Sequence, residues 1–356
     1  MNFKNKFLLI MMISMTMTKS SLTNIDTGNL ISMQEGFKID PDSTATQDRF
    51  GVATALGDFD GDGFEDVVVG SPNSIYSFMD STSSSFGKVF LIYGPLSGSR
   101  VMPPMFPTQG FLIFEPPTGI SIKIGTTLSF TDFNGDGLDN IILSSSVGST
   151  VFVVFGSRSR AIPFVILRDL PATGLGITIK TSQSVTYFGI SVSGIGDFDK
   201  DRFEDIAIGS PFDTTGGTQA GAVWVVRGRR AVPAGSAITV ESDPMSNRIS
   251  ATTAGSVMAH VVEFAGDINR DGFPDFIFGF FERSAVGGVL GTNGTIPATV
   301  NELTGPNGCI ITGEAPSTNF GFGSVVSGIG DVNHDGFSDI LIGEMNHNAS
   351  SVKTGR

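Results

Sequence analysis

An acidic loop of one design recurs five times along the chain, each time running directly into an apolar stretch. The copies begin at Asp58, Asp132, Asp197, Asp267 and Asp331, so their starts lie 64 to 74 residues apart. Each puts Asp or Asn at loop positions 1, 3 and 5: Asp58, Asp60 and Asp62; Asp132, Asn134 and Asp136; Asp197, Asp199 and Asp201; Asp267, Asn269 and Asp271; Asp331, Asn333 and Asp335. That spacing is how a short loop wraps oxygen ligands around a hard cation. Recurrence at a near-constant period marks a repeat protein, and the period limits the architectures open to it.

Each loop sits in a larger unit. Ahead of it stands a short pair such as Phe50-Gly51, Ile124-Gly125, Phe188-Gly189, Met258-Ala259 or Phe322-Gly323, and an alternating segment then leads into the loop. After it comes a continuous apolar run, as in Val67-Val68-Val69-Gly70 and Ile340-Leu341-Ile342-Gly343, which reads as a buried strand. A third strand is expected at 87–94, 149–156, 221–228 and, in weaker form, 287–291. A shorter fourth strand is expected at 110–114, 176–179 and 308–311. Four strands to a unit, in a chain with 46 Gly and only 16% charged residues, predict an all-β fold, a β-propeller of four-stranded blades. Five repeats are visible and the last is incomplete. An EF-hand is excluded, because Val69 stands where its bidentate Glu belongs and a strand follows the loop. The last side-chain ligand falls instead at position 9: Asp66, Asp205, Asp275 and Asp339, with Asn140 in the second loop.

Phe-Gly, an Asp-x-Asp/Asn-x-Asp-Gly-x-x-Asp loop, a strand ending Gly-Ser-Pro (Gly70-Ser71-Pro72, Gly209-Ser210-Pro211) and then Gly-x-Val-Phe/Trp together resemble the FG-GAP repeats of the integrin α-subunit β-propeller. The resemblance runs over nearly all of 36–343. It implies Ca2+ in the loop between the first two strands of a blade, on the lower face. Ligands would also include the position 7 carbonyls of Phe64, Phe273 and Phe337. Loops one, four and five keep every position, whereas two departures are expected to weaken the others. Asn140, with Asp139 beside it, makes the last ligand of loop two neutral or re-aimed, and Arg202 replaces the turn glycine of loop three. The competing reading is plain Asp-Gly turns; against it, three or four carboxylates converging without a cation would repel. Magnesium suits such a cage less well than calcium.

A net charge of −13 argues against a nucleic-acid partner. The single Cys309 permits no intrachain disulfide and reads as a buried small residue. Residues 1–21 read as a signal peptide, with Lys4 and Lys6 ahead of an apolar run too short to span a bilayer, or else as an unstructured start. Residues 344–356 form a short polar tail, and Ser351-Val352-Lys353 could improvise a third strand for repeat five. Sequons stand at Asn293 and Asn348.

No catalytic motif appears among the three His residues, His260, His334 and His347, and the carboxylates are claimed by the cation, so no enzyme is expected. The resemblance implies a secreted or cell-surface recognition platform. Its partner would be a protein ligand or a second, integrin β-like subunit, with no transmembrane segment in this chain. The alternative is a structural or carbohydrate-binding propeller, or the non-catalytic propeller of a phospholipase D-like protein.

Overall fold

The computed structural model describes residues 9–12, 36–40, 49–74, 87–96, 98–101, 109–116, 122–145, 149–183, 186–230, 237–313, 321–344, 348–349 and 352–353. It is all-β, built from antiparallel sheets of the kind that make propeller blades. Repeat one pairs Thr54–Gly57, Asp66–Ser71, Lys88–Ile92 and Gly110–Phe114 in that order. Repeat two does the same with Ile124–Thr131, Asn140–Ser145, Thr150–Val154 and Gly176–Lys180. Repeat three uses Val192–Gly194, Ile206–Ser210, Ala222–Val226 and Ser246–Ser250. Repeat four uses Met258–Gly266, Asp275–Phe280, Ala285–Val289 and Gly308–Thr312. Repeat five consists of Phe322–Gly330 against Asp339–Glu344.

The second strands are the expected apolar runs, and in the first four repeats every residue of them is buried. Their alternate side chains face opposite ways, so each strand feeds two separate cores. Val68 packs in one cluster with Ile124, Ile141 and Leu143 of repeat two, while Val67 and Val69 pack with Ile39, Phe50 and Phe90 on the other side. Ile142 and Ala207 lie in the corresponding clusters between repeats two and three and between three and four. The glycine that ends the strand has a steric reason: a Cβ on Gly70 would stand 2.1 Å from the carbonyl oxygen of Gly125, and one on Gly279 2.0 Å from that of Gly323. The Phe-Gly turn of one repeat is thus seated on the strand end of the repeat before it.

Some features went beyond the sequence reading. The outer strands of repeats one and two gain a parallel neighbour from the following repeat: Phe164–Ile166 on Gly110–Phe114, and Ala237–Thr239 on Gly176–Lys180. Gly98–Val101 pairs in the same parallel sense with Gly36–Asp40, whose first four residues the sequence already marks as a fourth strand. In repeat four the third strand begins two residues earlier than 287–291 suggested. There the bulk sits in Phe276, Phe278 and Phe280, and a Cβ on Gly287 would come within 2.3 Å of the Phe278 ring.

Two expectations are corrected. Cys309 is exposed, because it lies on an outer strand that no described residues cover on its far face, and its neighbour Ile310 is 40% exposed. Val352–Lys353 does not extend repeat five, but pairs with Asn348–Ala349 in a separate ladder. Of 1–21, only Leu9–Met12 is described, as a strand antiparallel to Gly36–Asp40. No described helix is long and apolar enough to cross a membrane.

Candidate cation loops

The loops close on themselves through their own side chains. At position 1, Asp58 accepts the N–H of Asp62 at 3.1 Å and of Gly63 at 3.0 Å. Asp132, Asp267 and Asp331 repeat both bonds at the same positions. At position 5, Asp62 Oδ1 accepts the Phe64 N–H at 2.9 Å, and Asp136, Asp201, Asp271 and Asp335 do likewise. Such Asx-type bonds bend the chain inward; they use both oxygens at position 1 and one at position 5, whose second oxygen accepts the Asn134 or Asn269 side-chain N–H in loops two and four. The position 6 residue is left-handed throughout, at φ 86° for Gly63 and φ 80° for Arg202, so Arg202 bears the strain the sequence implied.

Position 9 has a role the spacing did not reveal. Asp66 takes the Phe59 N–H at 3.0 Å on one oxygen and the Gly94 N–H at 2.7 Å on the other. It thereby ties the loop's start to the end of the third strand. Asp205 joins Phe198 to Gly228 and Asp275 joins Ile268 to Gly291 in the same way, while Asp339 holds Val332. Burial pushes these carboxyls up, to about 7 for Asp66, about 8 for Asp205 and about 6 for Asp275. Asn140 instead donates to the Leu138 carbonyl at 3.1 Å and leaves its own Oδ1 buried with no donor.

Asp139 is re-aimed, and its target lies one repeat back: it accepts the Asp58 N–H at 2.8 Å. The position 8 residue is a clasp between loops. Glu204 accepts the Asp132 N–H at 2.9 Å and the Thr131 hydroxyl at 3.0 Å, and Ser338 Oγ accepts the Asp267 N–H at 3.1 Å. Pro274 occupies that place against loop three and offers neither donor nor acceptor side chain. The available signal was a hydrogen-bonding residue recurring at position 8, as Glu65, Asp139, Glu204 and Ser338.

The donor set suits a hard cation. Oxygens of Asp58, Asp60 and Asp66 lie within 4.8 Å of one another, as do those of Asp197, Asp199 and Asp201. Asn134 Oδ1 and Asp197 Oδ1 are shielded from solvent with no donor, a state that a bound cation would relieve. Both belong to the loops the sequence ranked as weaker. The loop it ranked as complete has a different complication: the Arg160 guanidinium bonds both Asp60 and Asp62. In loop three Arg227 Nε lies 3.0 Å from Asp199 Oδ2. Phe64, Phe273 and Phe337 take position 7 as expected, with half-open rings in loops one and five. Loops four and five place Asp267, Asn269, Asp271 and Asp275, and Asp331, Asn333, Asp335 and Asp339, in the same folded turn. His260 is exposed and lies 5.3 Å, centroid to centroid, from the Phe281 ring, His334 lies on loop five, and His347 falls outside the described residues.

Residues 50–92 and 188–226, the first and third repeats, match the family model for the FG-GAP repeat. The chain is 27% identical over 248 residues to integrin alpha-5 of Xenopus laevis, covering 65% of this chain and 20% of that protein. It is 28% identical over 284 residues to integrin alpha pat-2 of Caenorhabditis briggsae, covering 75% and 20%. It is also 30% identical over 188 residues to phosphatidylinositol-glycan-specific phospholipase D of Rattus norvegicus, covering 49% and 20%. The chain thus spans about a fifth of the length of these curated relatives.

Proposed function

We propose that this chain, whose repeats are FG-GAP repeats with integrin α relatives, is a calcium-binding extracellular recognition propeller. It would act in cell adhesion or protein recognition, with no catalytic role of its own. The observation that carries the reading is the convergence of carboxylate oxygens within 4.8 Å in loops of one geometry, with buried acceptors left over. Asp58, Asp60, Asp62, Asp66 and their counterparts, with the position 7 carbonyls, are the proposed ligands. The ion would neutralise crowded acids and fix the turn between the first two strands of each blade. The partner, a protein ligand or a second subunit, would meet the loops at the opposite end of the blades.

Melting with and without a chelator tests the cation. A site held at a hundred times its dissociation constant adds about 2.7 kcal/mol, so the midpoint should fall by several degrees on chelation. Asp271→Asn and Asp335→Asn should each shrink that fall. An unchanged midpoint would reduce the loops to turns. The phospholipase D relatives support a second reading, that the same propeller accompanies a hydrolase. Faster release of a lipid-anchored protein by a phospholipase D when this propeller is added would establish it over the first.

A further inference from the structure

We infer that loop one is charge-compensated by Arg160 from the following repeat, which makes it a low-affinity calcium site while the later loops depend on the ion. The inference rests on the cation-binding reading of the loops. Backbone N–H groups claim one oxygen at each of positions 3 and 5 of loop one: Asp60 Oδ1 takes Asp62 N–H at 3.2 Å and Asp62 Oδ1 takes Phe64 N–H at 2.9 Å. The two remaining oxygens, Asp60 Oδ2 and Asp62 Oδ2, are the ones a metal ion would use, and both go to the same guanidinium, through Arg160 Nε and Arg160 Nη2. The Asp60 side chain is 2% exposed, so its charge is desolvated and gains strongly from a fixed partner.

The guanidinium is held for this task. Its carbon lies 4.6 Å from the centre of the Tyr93 ring, which packs beneath it. Its segment is tied to loop one by the Ser157 N–H on the Phe59 carbonyl at 3.0 Å and by Arg158 Nη1 on the Gly61 carbonyl at 3.3 Å. Loop three differs, since Arg227 reaches only Asp199 and the buried Asp197 Oδ1 keeps no donor. In loop four the position 4 cation Arg270 is turned toward the next loop, its guanidinium carbon 6.0 Å from the centre of the Phe337 ring. Cations of the preceding loop do lie against loops four and five, Lys200 4.8 Å from the centre of the Phe273 ring and Arg270 over Phe337, but among the described residues none forms an ion pair with a carboxylate of either loop. An ion entering loop one must therefore displace a tethered cation, which lowers its affinity by competition.

Equilibrium dialysis against calcium, counting ions bound per full-length chain, tests this with Arg160→Gln, Asp62→Asn and Asp335→Asn. Arg160 is partly exposed, so its replacement leaves the cores intact. Arg160→Gln should bind one more ion, or bind its weakest ion about tenfold more tightly. Asp62→Asn in the natural background should leave the count unchanged, whereas Asp335→Asn should lower it by one. Calcium binding that Arg160→Gln does not alter, or that Asp62→Asn reduces, overturns the inference alone. A single site emerging only in Arg160→Gln supports the inference and overturns the reading of the later loops, and no binding by either protein overturns both.

Discussion

At the residue scale, Glu263 is a half-buried acid that lies away from the loops. It sits on the first strand of repeat four opposite Ile277, and burial alone raises its carboxyl to about 7. A carboxyl raised in the folded state binds its proton more tightly there than in the unfolded chain. Its contribution to stability is therefore complete below the unfolded value near 4.5 and is lost as pH rises through about 7. Glu263→Gln, which keeps the shape without the charge, should match the natural protein at pH 4 and exceed it at pH 8. The gain should be on the order of 2 kcal/mol. Melting curves at the two pH values check this, and equal midpoints at pH 8 would place Glu263 in contact with water. Nothing in the sequence marks this residue, because its neighbours His260, Val261 and Val262 read as an ordinary alternating strand. Arg160 was equally hidden. It acts on acids about a hundred positions away, and no local pattern distinguishes it from Arg158. By contrast Asp58, Asp60 and Asp66 were legible, because their roles are set by spacing within one turn.

At the scale of elements, the loops are linked in series as well as closed individually. The position 1 N–H groups of loops one, two and four are met by the position 8 side chain of the next loop, so one turn positions another across a blade boundary; Pro274 breaks the series at loop three. Glu204→Ala leaves the Asp132 N–H and the Thr131 hydroxyl without their acceptor and should cost about 1–3 kcal/mol in urea unfolding. Glu65→Ala removes the same residue type at an exposed position and should cost less than about 0.5 kcal/mol. Equal costs would mean that the clasp contributes nothing. Strand order within each blade could be read from period and punctuation. The clasp and the parallel fifth strands could not, since both are contacts between repeats, and a repeat pattern by itself describes only one unit.

For the whole molecule, the consequence of repetition is that a blade buries its second strand on both sides only where repeats flank both of its faces. The residue ten positions after each loop start shows this: Val68, Ile142, Ala207 and Ile277 are fully buried, whereas Leu341 of repeat five is 59% exposed. Position 2 behaves alike, with Phe59, Phe133 and Phe198 fully buried and Val332 62% exposed. A solenoid-like or propeller array gains much of its stability from such nearest-neighbour interfaces, so identical chemistry at equivalent positions has unequal value along the chain. Ile277→Ala should cost about 2–5 kcal/mol, the transfer loss plus a cavity between repeats four and five. Leu341→Ala should cost under about 0.5 kcal/mol, because its side chain already meets solvent. Paired urea titrations of the two variants measure the difference directly. If Leu341→Ala proved as costly as Ile277→Ala, the outer face of repeat five would be covered in solution.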